Sequence, residues 1–390
     1  MRSRYSVGAL PMSTPALVAD LPADWRSARL AGRLLLAEGP TPVLIERGRV
    51  FDMTSVAPTL SELVAMPAID AAAGTDIGPL DAMALSTDSA ARVLAPVDLQ
   101  VIKASGVTFA VSAVERVIEE RAGGDAARAQ AIRAGLAARV GADIRAVVPG
   151  SPAAATLKAV LIADGLWSQY LEVAIGPDAE IFTKAPVLAA VGWGDQVGVR
   201  GDSSWNNPEP EVVVIADPVG RAIGATLGND VNLRDIEGRS ALLLGKAKDN
   251  NASCAIGPFI RLFDGDFTMD DVRTMTVRLA VEGTDGYRLS GESSMAQISR
   301  DPLDLLAQTA GANHDYPDGF ALFLGTMFAP TQDRDGVGQG FTHHAGDLVL
   351  VSSDRLGTLR NTVTDCATAP PWRYGIAALM RNLASRGLLA

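Results

Sequence analysis

The chain has 390 residues and a formal net charge of −11, from 34 Lys+Arg against 45 Asp+Glu. With 48% hydrophobic and 20% charged residues it is globular in composition, sized for one large domain or two to three ordinary ones, which excludes wholesale disorder. The acidic balance excludes a phosphate-neutralising nucleic-acid surface, and two cysteines, Cys254 and Cys366, exclude a disulfide scaffold or a Cys-rich zinc site.

Met1–Pro15 contains Arg2 and Arg4 but no apolar core behind them, and no stretch approaches the ~20 apolar residues of a spanning helix. The expectation is a cytoplasmic protein with reduced thiols and no membrane segment. Residues 17–100 read as a small mixed α/β domain. Pro42–Ile45 and Gly48–Met53 pattern as paired strands, and Thr59–Met66 as a helix, with Thr59 and Glu62 spaced as a capping box. Pro96 makes Val93–Val97 an extended connection. From Lys103 the composition changes. A helix is predicted from Ser112 to about Val140, broken at Gly123-Gly124-Asp125, and another from Ala153 to near Gly165. Strands are predicted at Val187–Val191, Gln196–Arg200, Val212–Ala216, Ile223–Leu227 and Leu348–Ser352, with a turn at Asp217–Gly220. Helices return at Met269–Met275 and Leu303–Thr309. The fold class is therefore α+β, with a domain boundary near residue 100 and a β-rich second domain, 101–390, carrying peripheral helices.

The segment Trp205-Asn-Asn-Pro-Glu-Pro-Glu211-Val-Val-Val-Ile215 carries the most chemistry. In a strand, the spacing of two between Glu209 and Glu211 sets both carboxylates on one face. Asp230 follows at the end of the returning strand, so three carboxylates from adjacent strand ends converge. Val213 and Ile215 share the phase of the acids, an apolar face where unpaired carboxylates are costly. Three hard oxygen donors without Cys or a nearby His suit Mg²⁺, Mn²⁺ or Ca²⁺ rather than zinc. Two lysines follow, Lys246 and Lys248. A lysine beside such a site stabilises an enolate or moves a proton, whereas a lone lysine in a loop is ordinarily a solvated charge.

The run Pro208-Glu-Pro-Glu211, the block Asn229-Asp230…Arg234-Asp235-Ile236 and the spacing of Lys248 to Gly257-Pro258 resemble the fumarylacetoacetate hydrolase family. So do Gly106-Val-Thr-Phe109, Phe182-Thr-Lys-Ala-Pro186, Gly325-Thr326 and Leu356-Gly-Thr-Leu-Arg-Asn361, over roughly Lys103 to Val363. The resemblance implies a mixed β-roll catalytic fold and a divalent metal held by Glu209, Glu211 and Asp230. It also implies a homodimer or homotetramer and, by its spacing to Gly257-Pro258, Lys248 as the family lysine. Gly325 and Thr326 are carried over as substrate-binding positions, and Lys184 and Arg234 as candidates for the same role. Lys184 could equally brace the site, and Arg234 has acidic neighbours to pair with. His343 and His344 fall where the family has no histidines.

One departure matters. The family's hydrolases carry a His after the Gly-x-Asn-Tyr-like start and a Glu three residues later, a pair that activates water. Here Ser112 stands at the histidine place and Glu115 is kept. Serine is no general base near neutral pH without help. Together with the long N-terminal extension and the Gly106-Val-Thr start, this resembles the family's sugar-acid dehydratase branch. That branch acts on 2-keto-3-deoxy-D-pentonates (xylonate or arabinonate) and yields 2-oxoglutarate semialdehyde. The implied chemistry is removal of a C3 proton next to a metal-polarised C2 keto group, then loss of the C4 hydroxyl. Lys248 would be base or enolate stabiliser and Glu115 the acid, with Ser112 in the water-activating position. The competing expectations are a C–C hydrolase of acylpyruvates or 2,4-diketo-3-deoxy sugar acids, and a binding protein on a degenerate enzyme fold. The intact set of three acids and Lys248 argues against the last.

Overall fold

The computed structural model describes residues 17–86, 89, 91–132, 147–328 and 330–389. The N-terminal Met1–Pro15 and the distal part of the helix expected to reach Val140 lie outside the described residues. The strands, in chain order, are β1 (Leu30–Leu36), β2 (Gly39–Glu46), β3 (Arg49–Asp52), β4 (Thr75–Pro79), β5 (Arg92–Leu94) and β6 (Val101–Gly106). They continue with β7 (Glu180–Ala185), β8 (Gln196–Val199), β9 (Asn206–Asn207), β10 (Pro210–Ala216), β11 (Ala222–Asp230) and β12 (Asn232–Leu233). The last are β13 (Cys254–Leu262), β14 (Thr276–Glu282), β15 (Arg288–Ser294), β16 (Phe320–Phe323), β17 (Leu348–Ser353) and β18 (Gly357–Asp365).

Eleven strands form one mixed sheet in the order β4-β3-β2-β1-β13-β11-β10-β16-β6-β7, with β5 on β1. Five more form a second sheet, β15-β14-β17-β18-β8. Alternation along β10 builds two cores from one strand. Val212 and Val214 join Val277, Leu279, Val349 and Leu359 of the five-stranded sheet. Val213 and Ile215 face the other way, with Leu60, Leu63, Ile256 and Phe323. A third cluster packs the helix Ala110–Ala122 (Ala113, Val117, Ile118) on Tyr170, Leu171 and Ile175 of the helix Gln169–Ile175.

The first hundred residues do not stand apart in this architecture. β1 pairs antiparallel with β13, Leu30 opposite Arg261 and Ala31 opposite Ile260, inside the same sheet. Long-range polar contacts reinforce the join. Arg360 on β18 makes paired hydrogen bonds to Asp20 at 2.6 and 2.9 Å. From the helix Ile376–Ser385 and the residue after it, Asn382 and Arg386 reach the carbonyls of Glu38 and Pro40 at 2.9 and 3.0 Å.

Most expected elements are present within a residue or two. The helix Leu60–Ala65 is capped by Thr59, whose side chain accepts from the Glu62 amide. The long helix breaks at Gly123, which closes Ala110–Ala122 in the left-handed conformation at φ 65°. The expected strand Val187–Val191 is a correction. Only Val191 makes a bridge, to Ala255. Pro186 lacks an amide to donate, and Leu188 sits at φ +63°, so the chain turns there. The strand lies just upstream, as β7.

Candidate active site

Antiparallel pairing of β10 with β11 puts Pro210 opposite Asn229 and Glu211 opposite Gly228. Glu209, one residue before β10, and Asp230, the last of β11, are tied by the Asp230 amide donating to the Glu209 carbonyl at 3.0 Å. Carboxylate oxygens of Glu209, Glu211 and Asp230 lie within 4.8 Å of one another. All three residues are at most 2% exposed.

Their partners differ. Lys248, in the short helix Leu244–Lys248, reaches both Glu209 Oε2 and Asp230 Oδ2, the latter at 2.9 Å. Lys184 of β7 is fully buried, with its Nζ 2.7 Å from Asp230 Oδ1 and hydrogen-bonded to the carbonyls of Lys248 and Val231. It braces the acid and the helix end that presents Lys248. Arg116 pairs with Glu209, with Glu119 at 2.6 Å and with Glu237 at 3.0 Å. Glu211 has no cationic side chain on it among the described residues. It accepts only the Gly325 amide, at 2.7 Å. Gly325 holds φ +99°, and a β-carbon there would stand 2.0 Å from Thr108 Oγ1, so glycine is needed to aim that amide.

The electrostatics follow. Burial and the neighbouring carboxylates of Asp230 and Glu209 push Glu211 well above the usual carboxylate range. Burial works against the Lys248 ammonium, but Asp230, Glu209 and Glu237 outweigh it and hold the lysine charged. Burial alone would raise Asp230; Lys184 and Lys248 overcome it and keep it low. Three cations, Lys248, Lys184 and Arg116, meet Glu209 and Asp230, and among the described residues Glu211 lacks a counter-charge. Hard oxygen donors, close spacing and missing positive charge fit a divalent cation of the Mg²⁺, Mn²⁺ or Ca²⁺ type.

A narrow cavity opens onto this cluster. Its wall includes Ser105, Gly106, Val107, Ser112, Glu180, Phe182, Glu237 and Thr326. Val107 is a β-branched residue at φ +58°, a conformation that costs on the order of 1–3 kcal/mol and marks functional turns. Its neighbour Thr108 fixes the turn, Oγ1 donating to the Leu324 carbonyl at 2.6 Å and its own carbonyl accepting the Ser299 amide at 2.8 Å.

The helix Ala110–Ala122 presents Ser112, Glu115, Arg116 and Glu119 on one face. The Ser112 hydroxyl donates to the Thr326 carbonyl at 2.6 Å. The Glu115 carboxylate meets Arg234 Nη2 at 3.1 Å and is not part of the cavity wall that Ser112 and Arg116 share. Arg234 spends its other nitrogens on Glu119 at 2.6 Å and the Pro330 carbonyl at 3.1 Å, stacked over Trp205. Its donors are engaged by protein, so the pairing anticipated with acidic neighbours takes the place of a substrate contact. Thr326 lines the cavity, with its hydroxyl on the Phe328 carbonyl at 3.0 Å. Lys246 is at the surface, 3.2 Å from Asp202. His343 is buried against Asp347, and His344 lies between Asp285 and Asp335; neither lines the cavity.

Sequence reasoning missed Arg116, Glu119, Glu237 and Glu180. Arg116 and Glu119 were legible as one and four residues beyond Glu115 on a helix. Glu180 was legible as the residue four before Lys184 on an alternating strand: Glu180 and Phe182 line the cavity, and Lys184 pairs with Asp230 of its wall.

Residues 172–364 match the family model described as fumarylacetoacetate (FAA) hydrolase C-terminal. The chain carries a domain of the fumarylacetoacetate hydrolase family. A probable 2-keto-3-deoxyxylonate dehydratase of Haloferax volcanii is 31% identical over 195 residues, 50% of this chain and 63% of that protein. A 2-dehydro-3-deoxy-D-arabinonate dehydratase of Saccharolobus solfataricus is 32% identical over 186 residues, 46% of this chain and 57% of that protein. The matches thus span about three-fifths of those relatives' length. A solved structure of 2-keto-3-deoxy-D-arabinonate dehydratase complexed with magnesium and 2,5-dioxopentanoate superposes with a TM-score of 0.59 at 19% identity, covering 86% of this chain and 99% of that one. A fumarylacetoacetate hydrolase from Exiguobacterium antarcticum gives 0.55 at 18%, covering 87% and 100%. At these identities the structures speak for the fold: a mixed α/β architecture built on a large mixed sheet.

Proposed function

We propose that this protein is a divalent-metal-dependent hydro-lyase that converts a 2-keto-3-deoxy-D-pentonate, of the xylonate or arabinonate series, to 2-oxoglutarate semialdehyde. The observation that carries the reading is the joint burial of Glu209, Glu211, Asp230 and Lys248 beside a serine, Ser112, whose hydroxyl is committed to the Thr326 carbonyl. That place holds no side chain able to activate water, which disfavours C–C hydrolysis of acylpyruvates or diketo sugar acids. The dehydratases of Haloferax and Saccharolobus support the same choice by name. So does the magnesium and 2,5-dioxopentanoate complex of the structural neighbour, since that compound is the semialdehyde itself.

A divalent cation at Glu209, Glu211 and Asp230, with Mg²⁺ the first choice, supplies Lewis-acid polarisation of the substrate's C2 keto group, which acidifies the C3 protons. The chain's own residues do the rest. Lys248, charged between two carboxylates, stabilises negative charge developing on the C2 oxygen rather than taking a proton. Lys184 fixes Asp230 and the end of the Lys248 helix. The Gly325 amide orients Glu211, and Thr326 lines the substrate's approach. Phe182 keeps one wall apolar, which limits water around a reactive enolate. The proposal includes a cytoplasmic place in sugar-acid catabolism and a homodimeric or homotetrameric assembly.

The test is product analysis. A panel of 2-keto-3-deoxy sugar acids, incubated with Mg²⁺, should give one product 18 mass units lighter than its substrate, by loss of water, and EDTA should abolish it. Pyruvate plus a two-carbon fragment, or faster turnover of acylpyruvates, would refute the reading.

A further inference from the structure

The pair His343-His344 lies outside the catalytic cavity and fastens the loop 330–346, between β16 and β17. The hub of this loop is Asp347, fully buried at its end. Arg334 donates to both carboxylate oxygens of Asp347, at 2.6 and 2.8 Å, and to the Thr342 carbonyl at 3.1 Å. The His344 amide donates to Asp347 Oδ2 at 2.9 Å, and His343 Nδ1 faces the same oxygen at 3.4 Å. Within the loop the Arg334 amide donates to the Gly340 carbonyl at 3.1 Å, and the Gly338 and Gly340 amides donate to Asp333 at 2.9 and 2.8 Å. Two bonds tie the loop to the side of the active site. The His343 amide donates to Asn206 Oδ1 at 3.1 Å, just ahead of Glu209, and the Pro330 carbonyl accepts from Arg234 at 3.1 Å.

The His343 side chain has no exposed surface. A carboxylate only accepts, so the nitrogen facing Asp347 carries the proton, and Nε2 is the bare nitrogen of the neutral ring. Nε2 is buried and, among the described residues, has no hydrogen-bond partner. The charges that face the ring are Asp347, Arg334 and His344. Behind them Asp285 meets Arg334 and His344, and Asp335 meets His344. Asp347 is already shared with Arg334 and the His344 amide. A second proton on the ring therefore creates a buried N–H without an acceptor, and a cation beside the Arg334 guanidinium, both of them costly.

We propose that His343 is an acid-operated latch: neutral, it holds the loop 330–346 on the Trp205–Asn206 segment that leads to Glu209; protonated, it releases the loop. Burial, ahead of the pull of Asp347, holds the latched ring below the ordinary value of 6.5. A released ring in water takes a proton that the latched ring refuses. The latch therefore weakens as pH falls below that value, by up to about tenfold in its closing equilibrium per pH unit, until the latched ring itself protonates. Burial alone would raise Asp347, but the hydrogen bonds of Arg334, His343 and the His344 amide keep it low, so the hub stays ionised while His343 titrates. Acid thus withdraws a support of the Glu209 segment through a group outside the metal cluster, whatever substrate the cavity takes.

The test is hydrogen–deuterium exchange of the full chain with Mg²⁺ at pH 7.5 and pH 5, corrected for the intrinsic pH dependence of amide exchange, in peptides covering 331–344. Wild-type protection there should fall by roughly 10-fold at pH 5. His343→Gln, which has no ring to protonate, should keep its protection, and His344→Gln should release as wild type does. Protection unchanged in wild type, equal release in His343→Gln, or its loss in His344→Gln each overturns the proposal. His343→Phe takes the place of His343→Gln if that variant does not fold. If neither folds, wild type decides by NMR, since the chain has only three histidines and the His343 ring signal is assigned by elimination with His314→Gln and His344→Gln. The ring titration and the loop release should share one midpoint below 6.5, and separate midpoints overturn the latch.

Discussion

Lys246 and Lys248 are two residues apart, yet one sits in solvent beside Asp202 and the other is buried between Glu209 and Asp230. Lys248→Met should lower turnover by roughly 10²–10⁴-fold, and Lys246→Met should leave it within a few-fold; steady-state kinetics on the dehydratase substrate rank them. Glu180 makes a second prediction, about stability. Its pKa is raised from 4.5 to about 7 by burial. Between those values the folded chain holds a proton that the unfolded chain has released, so stability falls as pH rises through that window. The effect is at most about 3 kcal/mol, from ~1.4 kcal/mol per pKa unit. In metal-free buffer, Glu180→Gln should flatten the decline in melting temperature between pH 5 and 7.5. A variant curve parallel to wild type would show that the carboxyl is solvated. At this scale the sequence exposed the three acids and Lys248, because motif and alternation both pointed to them. It did not expose the partners of Arg234 and Glu115, because those join residues more than a hundred positions apart.

Among the elements, the helix Ala110–Ala122 works as a charged wedge. Arg116 alone neutralises parts of Glu119, Glu209 and Glu237. Arg116→Met keeps the apolar stem, strands Glu237 and leaves Glu119 and Glu209 with Arg234 and Lys248 alone, a kind of loss that costs on the order of 3–5 kcal/mol. Urea unfolding should show that drop at pH 7.5 and a smaller one near pH 5, where protonation of Glu237, already favoured by its burial, relieves the stranded charge. An equal loss at both pH values would mean that packing, not charge, sets the cost. Helix and strand positions were legible wherever periodicity was strong, as in β10 and β17. The misplaced strand at Val187–Val191 shows the limit. Its apolar residues looked β-like, but Pro186 and the left-handed Leu188 belong to a turn, and the pairing strand, β7, is too mixed in polarity to announce itself.

For the whole molecule, the change of composition near Lys103 suggested two domains, and the sheet crosses it. β1 covers the edge of β13, and Ala31 and Ile260 share one core. A chain beginning at residue 101 would expose that edge and its apolar face, an aggregation template. It should be insoluble or molten by near-UV circular dichroism, whereas two autonomous domains would give a soluble, folded fragment.

The contacts from Arg360 to Asp20, from Asn382 to Glu38 and from Arg386 to Pro40 close loops of 340 to 346 residues. They set a timetable for folding. Loop closure must be accomplished before such contacts contribute, so high mean sequence separation slows the search for the native state. During synthesis β1 and β2 emerge more than two hundred residues ahead of β13 and still further ahead of their C-terminal helix. For that interval the Leu30–Ala31 end of β1, which later pairs with β13, is an open edge of the kind that chaperones shield.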